Sequence, residues 1–564
     1  MRLSKAKGLS MKLRTLLFVF ILFATDYLYA QLTTPAKVDS GKSAMVVAAH
    51  PTAALVGADI LKKGGNAIDA AVAMAFVVGV VEPHASGLGG GGGMLIYTSK
   101  DKSYQYLDYY VKSPATIDTS YSSKEGVATV KAICIPGTPA GLLTASRRFG
   151  RLPLSDVIAP AMKIAEQGII VNEGLFEAIL EKLEVIMTFP STAELYLTDD
   201  LPPSIGDTLR NEGLVSVLKN LSEYGEDYFY RGPFSKRAIE DLNKNNGTIT
   251  TEDFSGYQAI LRSPARTVYR DYKIYTSAPP QSGLTLLEIL KIVEHVPVNS
   301  WAPFTTSVSA AHYFIEAIKR ADFDRLHYLG DPAYINVPMA GLLSPEYTRI
   351  RFDDIDPDTV KYSDNKAIPG VDPFPFEDKD AQHTTHISVI DAEGNAVSLT
   401  QTLGLFFGSG FSSQGILFNS SMSVFYSGDV PNVIAPNKRP ASTICPTIIS
   451  HNDRPVAVLG TPGGGNIFNT MAEVIINILD FKMSPVAAVD APRISPRISR
   501  TNVNFEDRFD PEIIDALRAM GHTIRLSNAY NLYMGGIQLI YFDESLKQYI
   551  GVSDPRRDGA ATGM

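Results

Sequence analysis

Threonine residues stand at both ends of a predicted hairpin in the segment QHTTHISVIDAEGNAVSLTQT, residues 382–402. If residues 391–395 form the turn, antiparallel register places Thr384 directly opposite Thr402. A threonine hydroxyl becomes a useful nucleophile only when a base accepts its proton. The pair is therefore either part of a catalytic site or an ordinary cross-strand contact, since threonine also favours strands.

The same register divides the hairpin into two faces. One face is rich in hydroxyl groups and includes His386, and the other face is apolar: Ile387, Val389, Val397 and Leu399. This alternation predicts that the apolar face packs on the core. His383 and His386 could suggest a metal pair, but a spacing of three on a strand puts their side chains on opposite faces. No third ligand is evident nearby, so we expect no metal and no cofactor.

Glycine-rich segments accompany the hairpin. The run GLGGGGGML resembles a phosphate-binding loop but lacks the Lys-Ser/Thr ending. In AVLGTPGGGNIFNTMAEVIINIL, a strand leads through Gly463 and Gly464 into a helix predicted over 466–480. Backbone N–H groups at a helix start favour anions, so these glycines either stabilise a developing oxyanion or form a simple tight turn.

The remaining pattern predicts an α+β fold in which helices lie outside an antiparallel sheet. Two apolar helices are separated by Gly64-Gly65-Asn66, and strands follow the glycine run. Residues 154–330 are predicted to be mostly helical. Residues 351–382 are acidic and proline-rich, which is typical of an exposed loop.

Composition limits the class of protein. The chain has 564 residues, 45% hydrophobic and 20% charged, with a formal net charge of -9. No block of Lys and Arg occurs in the body of the chain, which argues against nucleic acid as a partner. The two cysteines, Cys134 and Cys445, lie in apolar runs and are predicted to be buried small hydrophobes.

The N-terminus has the pattern of a secretory signal peptide, residues 1–30. Basic residues precede the apolar run LLFVFILFA, and Ala30 offers a small residue at a cleavage point. The run is short for a membrane span, although a membrane anchor is the alternative. We expect a periplasmic or secreted protein with no stable membrane anchor after signal removal.

Many ordered motifs resemble the γ-glutamyltransferase (glutathione hydrolase) family of N-terminal nucleophile hydrolases. They are GGNAIDAAVA, EPHASGLGGGG, PGTPAGL, PPQSG, FDRLHYLGDP, TTHISVIDAEGNAVSLTQT, PNKRPASTICPTI, GTPGGG and SDPRRDGAA. The resemblance implies a four-layer αββα sandwich. It also implies self-cleavage between His383 and Thr384, giving a large subunit of 31–383 and a small subunit of 384–564 that remain together as one domain.

The resemblance also implies roles for the residues singled out above. Thr384 would be the nucleophile, and its freed α-amine, with an ordinary pKa of about 7.7–8, would be the base. Thr402 would orient the Thr384 hydroxyl. Gly463 and Gly464 match the oxyanion-hole glycines of the family.

The substrate pocket departs from the family pattern. Tyr110 stands where the family has an arginine for the substrate α-carboxylate, and Gly404 stands where it has an asparagine. Ser421 and Val424 replace the residues that hold the α-amino group. Ser442 and Thr443 match the carboxylate-binding Ser-Ser pair. Lys112 is the candidate to replace the missing arginine.

Three functions therefore compete. The first is a γ-glutamyl hydrolase and transferase that acts on glutathione-like γ-glutamyl amides. The second is an acylase that applies the same machinery to another amide. The third is a non-catalytic binding relative, against which the intact threonine and glycine positions argue.

Overall fold

The computed structural model describes residues 37–117, 126–360, 383–426, 428, 430–496 and 502–564. The predicted signal peptide, the cleavage point after Ala30 and most of the predicted acidic loop lie outside these residues. Within them, no helix is both long enough and apolar enough to cross a membrane.

The bounds of the strands, in chain order, are β1 Val38–Gly41, β2 Met45–Ala48, β3 Gly91–Thr98, β4 Ser103–Tyr109, β5 Ile169–Ile170, β6 Thr208–Leu209, β7 Ile260–Arg262, β8 Ala265–Tyr269, β9 Tyr272–Thr276, β10 His383–Ile390, β11 Ala396–Gly404, β12 Ser412–Ser413, β13 Ile416–Leu417, β14 Thr447–His451, β15 Arg454–Gly460, β16 Ile494–Pro496, β17 Asn502–Glu506, β18 Thr523–Ser527, β19 Gln538–Asp543, β20 Gln548–Ser553 and β21 Ala560–Gly563.

The α-helices span Pro51–Lys62, Ala67–Val81, Thr138–Phe149, Leu154–Gln167, Glu173–Glu181, Leu183–Met187, Pro190–Tyr196, Glu212–Tyr224, Glu226–Tyr230, Pro233–Lys244, Thr251–Ser255, Gly283–Val293, Val308–Tyr328, Met339–Leu342, Pro345–Asp353, Ile467–Leu479, Pro485–Asp490 and Pro511–Ala519. Short 3₁₀ turns span Val130–Ala132, Val298–Ser300, Ser421–Val424, Gly464–Asn466 and Leu532–Met534.

Two seven-stranded sheets form the centre of the molecule. One has the order β1-β20-β19-β15-β14-β9-β8, and the other has the order β21-β2-β10-β11-β3-β4-β7. We call them the first and the second sheet. Their pairings are antiparallel, as the sequence predicts.

Three hydrophobic clusters separate four layers. One lies between the second sheet and outer helices that include Ala67–Val81. Another lies between the first sheet and helices that include Gly283–Val293 and Ile467–Leu479. A smaller one, with Leu95 and Val458 among its members, lies between the two sheets. The predicted four-layer αββα sandwich is therefore confirmed.

The break between the first two apolar helices falls at Gly64-Gly65-Asn66, where the sequence predicts it. Asn66 caps the helix Ala67–Val81 by accepting hydrogen bonds from the backbone N–H groups of Ile68 and Asp69. Asp69 completes the capping box, which satisfies otherwise unpaired N–H groups at the helix start. Both cysteines are free and buried, as predicted.

Two features of the fold add to the sequence expectations. The region 154–330 is mostly helical, as predicted, but it also contains the short strands β5, β6, β7, β8 and β9. Moreover, both faces of the β10–β11 hairpin are buried. Its apolar face packs on the outer helices, and its hydroxyl-rich face points between the two sheets, where backbone groups of the first sheet satisfy its polar atoms.

Candidate active site

The predicted cross-strand pair lies at one end of the second sheet. Thr384 on β10 faces Thr402 on β11, which confirms the register, and a bulge falls between His383 and Thr384. Both threonines are buried, at 5% and 4% exposure. The Gly404 N–H donates to Thr402 Oγ1 at 2.8 Å. The Thr402 oxygen thus serves as an acceptor, which leaves its own hydrogen to be donated elsewhere.

A buried histidine network supports this end of the hairpin. His386 Nδ1 lies 2.8 Å from Thr400 Oγ1, and His386 Nε2 lies 3.1 Å from Ser388 Oγ. Ser388 and Ser398 then donate to backbone carbonyls of β19 and β15 in the first sheet. Burial lowers the pKa of His386 to about 3. Both ring nitrogens of His386 therefore contact hydroxyl groups of the hairpin, and Ser388 and Ser398 connect this network to the first sheet.

The two predicted oxyanion glycines lie at the same end of the sandwich. β15 ends at Gly460, where an added Cβ would lie 2.1 Å from His386 Cε1. The chain then passes through Gly463 and Gly464, with φ of +140° and +56°, and enters the helix Ile467–Leu479. These backbone angles favour glycine, and the helix start orients N–H groups outward.

Residues predicted to bind substrate also converge, although they come from distant parts of the chain. The Tyr110 phenol, 1% exposed, contacts the hydroxyls of Ser442 and Ser421. Burial raises its pKa, and the two hydroxyls partly offset that rise. The contact with Ser421 does not have the geometry of a hydrogen bond, because Ser421 Oγ is buried without a hydrogen-bond partner among the described residues.

Gly404 joins this cluster to the threonine pair. An added Cβ at Gly404 would lie 2.8 Å from Ser420 Oγ and 3.7 Å from Ser421 Oγ, and its φ is +91°. The Thr443 hydroxyl is buried without a hydrogen-bond partner in the described structure. Val424, at the end of the turn Ser421–Val424, is partly exposed. A cluster of polar, uncharged side chains thus adjoins Thr402.

The backbone at Tyr110 is held independently of its side chain. Its N–H donates to Asp108 Oδ1 at 3.0 Å, and its carbonyl accepts from the Tyr257 hydroxyl at 2.7 Å and from the Arg439 guanidinium. Arg439 also donates to the Gln258 carbonyl at 2.6 Å. This buried arginine is therefore occupied by protein groups and is not available to a substrate carboxylate.

Lys112 has different surroundings from Tyr110. The charged groups that influence it are Arg439, Asp253 and Asp331, and burial lowers its pKa. None of these groups belongs to the Tyr110 cluster. The prediction that Lys112 replaces the missing arginine is therefore not supported by a contact among the described residues.

Two further residues bind this region together, and motif reading did not assign them roles. Asn419 Nδ2 donates to the carbonyls of Gly89 and Cys134, and its Oδ1 accepts from the Ser421 N–H. Glu82 Oε2 accepts a hydrogen bond from Thr385 Oγ1 at 2.9 Å. Glu82 opens the motif EPHASGLGGGG, so the signal was present, but its partner lies about 300 residues away.

The described residues contain no cluster of three or more His, Cys, Asp or Glu side chains that could hold a metal ion.

Comparison with known proteins adds family information. The sequence model described as "Gamma-glutamyltranspeptidase" matches residues 53–564. The chain is 33% identical to the glutathione hydrolase proenzyme of Bacillus subtilis (strain 168), over 98% of each chain. It is 35% identical to the glutathione hydrolase proenzyme of Escherichia coli (strain K12), over 91% of this chain and 90% of the relative.

Among solved structures, the chain is similar to a cephalosporin acylase from Bacillus halodurans. The TM-score is 0.83 at 28% identity, with 93% of this chain and 97% of that chain covered. The same fold thus occurs in a protein whose name refers to cephalosporin and not to glutathione.

Proposed function

The chain belongs to the gamma-glutamyltranspeptidase family, and we propose that it cuts itself before Thr384 and then uses Thr384 as its nucleophile. It is an enzyme of the hydrolase and acyltransferase type, made as a proenzyme. The observation that carries the proposal is the buried Thr384–Thr402 pair at the end of the second sheet, on the same hairpin as His386, which the chain contacts at Gly460 just before the two glycines.

The reaction proceeds in two steps. The α-amine of Thr384 takes the proton from the Thr384 hydroxyl, whose oxygen attacks the substrate carbonyl carbon. N–H groups at Gly463 and Gly464 stabilise the oxyanion, the amine product leaves with the proton, and an ester to Thr384 remains. Water then releases the acid by hydrolysis, or an acceptor amine takes the acyl group by transfer.

The strand order supports a stable pair of subunits, 31–383 and 384–564. In the second sheet β2 from the larger segment pairs with β21 and β10 from the smaller one, and β11 pairs with β3. In the first sheet β1 pairs with β20, and β9 pairs with β14. Separating the segments would break both sheets, so we expect them to remain associated.

The substrate class is a small amide, and the family relation favours glutathione-like γ-glutamyl amides. The Tyr110 cluster modifies that expectation. A charged contact to a substrate carboxylate is worth about 1.5–3 kcal/mol, and Tyr110 supplies none. γ-Glutamyl donors should therefore bind more weakly than in relatives that have the arginine, with Ser442 and Thr443 providing the remaining polar contacts.

The uncharged cluster of Tyr110, Ser421 and Ser442 favours a second candidate function, an acylase for amides without the amino-acid head group. The likeness to the cephalosporin acylase structure is in keeping with it. Saturation kinetics on the processed protein with a γ-glutamyl anilide and a glutaryl anilide distinguish the two functions. A strong preference for the γ-glutamyl compound at low concentration would reject the acylase.

Self-cleavage is tested on purified precursor by intact-mass analysis. Two chains should appear, and the shorter should begin at Thr384. The Thr384→Ala variant should neither cut nor turn over substrate. An uncut chain with full activity would contradict the proposed mechanism.

The N-terminal sequence supports export through the signal peptide, and N-terminal sequencing of secreted protein should find residue 31 or a near neighbour first.

A further inference from the structure

The start of β10 is held on one side only by strand pairing. β10 pairs with β11 from His383 to Ile390, but it pairs with β2 only from Ile387 to Ile390. Among the residues that the structure describes, the start of β10, which includes Thr384, therefore has a strand neighbour on one side alone. On its other side this strand end has no ladder of backbone hydrogen bonds, so side-chain contacts there can add to its support.

Those contacts come from the turn that follows the helix Ala67–Val81. Thr385, fully buried, donates from its Oγ1 to Glu82 Oε2 at 2.9 Å. Gln401, directly opposite Thr385, donates to Ser86 Oγ at 2.7 Å and to the Ala75 carbonyl at 3.1 Å. The turn thus contacts both strands of the hairpin on the face opposite Thr384 and Thr402.

We propose that Glu82 is a positioning residue for self-cleavage, acting through Thr385 to hold the Thr384 hydroxyl against the peptide bond that follows His383. This inference rests on the proposed self-cleavage. In that step Thr384 Oγ1 adds to the His383 carbonyl carbon, and the hydroxyl proton passes to the Thr384 nitrogen as the C–N bond breaks and an ester forms. Water then hydrolyses the ester. The products are a carboxylate on His383 and a free amine on Thr384.

Charges around Glu82 make its contribution depend on pH. Burial raises its pKa to about 7, although the contact with Thr385 and the charge of Arg557 lower it and Asp558 raises it. The nearby histidines, His50 and His84, have pKa values lowered by burial to about 4 and about 3, so they are neutral near pH 7. Glu82 is thus the group in this cluster that titrates near neutrality.

The direction of the effect follows from hydrogen-bond strength. An ionised carboxylate accepts more strongly than a neutral carboxyl, so Thr385 is held more firmly above pH 7 than below it. In the uncut precursor the nitrogen of Thr384 is an amide and does not titrate in this range. A rise in cleavage rate through about pH 7 therefore cannot come from the future N-terminal amine.

The test measures cleavage of purified precursor by intact mass over about pH 5.5–8.5. Glu82→Gln keeps an acceptor but not the charge, so above pH 8 it should cut about tenfold more slowly than wild type. Its rate should also lose the rise near pH 7. Thr385→Val should be at least as slow, and Thr385→Ser, which restores the hydroxyl, should recover the rate and the pH profile.

A second carboxyl provides the matched control. Burial raises the pKa of Glu473 to about 8, but Glu473 lies within the helix Ile467–Leu479 and not at β10. Glu473→Gln should therefore keep the rise near pH 7. Circular dichroism and thermal melting establish that each variant folds; if Glu82→Gln does not fold, the Thr385→Val and Thr385→Ser pair decides.

The possible failures can be told apart. If wild type cuts and Glu82→Gln matches its rate and pH profile, or if Glu473→Gln abolishes the rise, the role of Glu82 is wrong and self-cleavage stands. If Thr385→Val cuts like wild type, the route through Thr385 is wrong. A wild-type chain that never cuts removes the proposed function and the role of Glu82 together.

Discussion

Replacing Thr402 by valine tests the role of its hydroxyl group while the shape of the side chain is kept. Valine keeps the branched side chain that suits a buried strand position but cannot hydrogen-bond. The change leaves the buried Gly404 N–H, which donates to Thr402 Oγ1 at 2.8 Å, without its acceptor. An unsatisfied buried donor costs about 1–3 kcal/mol, so the variant should be less stable by that amount.

The cleavage rate should fall for a different reason. If Thr402 orients the Thr384 hydroxyl, its removal loses one neutral hydrogen bond, worth about 0.5–1.5 kcal/mol, in the reacting geometry. This converts to a reduction of roughly 2- to 12-fold in the rate of self-cleavage. A time course of purified precursor by intact mass measures that rate, and urea unfolding measures the stability separately.

Thr400→Val is the matched control. Thr400 lies two residues away on the same strand face and is equally buried, but its hydroxyl contacts His386 Nδ1 at 2.8 Å and not the Thr384 pair. It should lose stability and keep the cleavage rate. Thr402→Ser should restore cleavage. Equal rates for the two valine variants would refute the orienting role of Thr402.

Three further outcomes follow from the same geometry. Gly463→Ala forces a side chain onto φ of +140°, with its Cβ 3.1 Å from the Gly535 Cα, so steady-state kinetics should show kcat falling by up to about 100-fold with a smaller change in KM. Gly460→Ala places a Cβ 2.1 Å from His386 Cε1 and should cost about 1–3 kcal/mol in urea unfolding. Because burial lowers the pKa of His386 from 6.5 to about 3, the folded state binds fewer protons there. Stability measured by urea unfolding should therefore fall as pH drops from about 6.5 toward 3, less steeply in His386→Gln.

The hairpin was predictable because its register depends on local information. A five-residue turn and a side-chain period of two are enough to place Thr384 opposite Thr402. Local pattern did not reveal what covers the hydroxyl-rich face. That depends on β15 and β19, whose carbonyls accept from Ser398 and Ser388, and which lie about 60 and 150 residues further along the chain.

The missed strands show the same limit. β9 pairs with β14, which lies more than 170 residues away, so its place in the sheet depends on a partner that no local window contains. Short strands set among helices carry little periodic signal of their own. The places of β8 and β9 in the first sheet and of β7 in the second sheet are tertiary effects that override the helical character of the neighbouring sequence.

The roles of Thr384, Thr402, Gly463 and Gly464 remain predictions, because they rest on family motifs and on placement. The contacts among Tyr110, Ser421 and Ser442 could not be predicted from the sequence. Motif comparison aligned Tyr110, Ser421 and Ser442 with family positions, but only the fold brings the phenol and the two hydroxyls into contact. Side-chain contacts between such distant segments cannot be read from residue types alone.

The residues predicted to carry out the reaction and the residues predicted to determine substrate specificity lie on different structural elements. Thr384 and Thr402 belong to a hairpin whose position is set by the second sheet and by His386. Tyr110 lies just after β4, and its backbone is fixed by Asp108, Tyr257 and Arg439. Because those contacts involve only the main chain at position 110, the side chain there can change without moving the backbone. The same nucleophile could therefore serve a γ-glutamyl donor in one relative and a less polar acyl donor in another, with the difference confined to a few side chains beside Gly404.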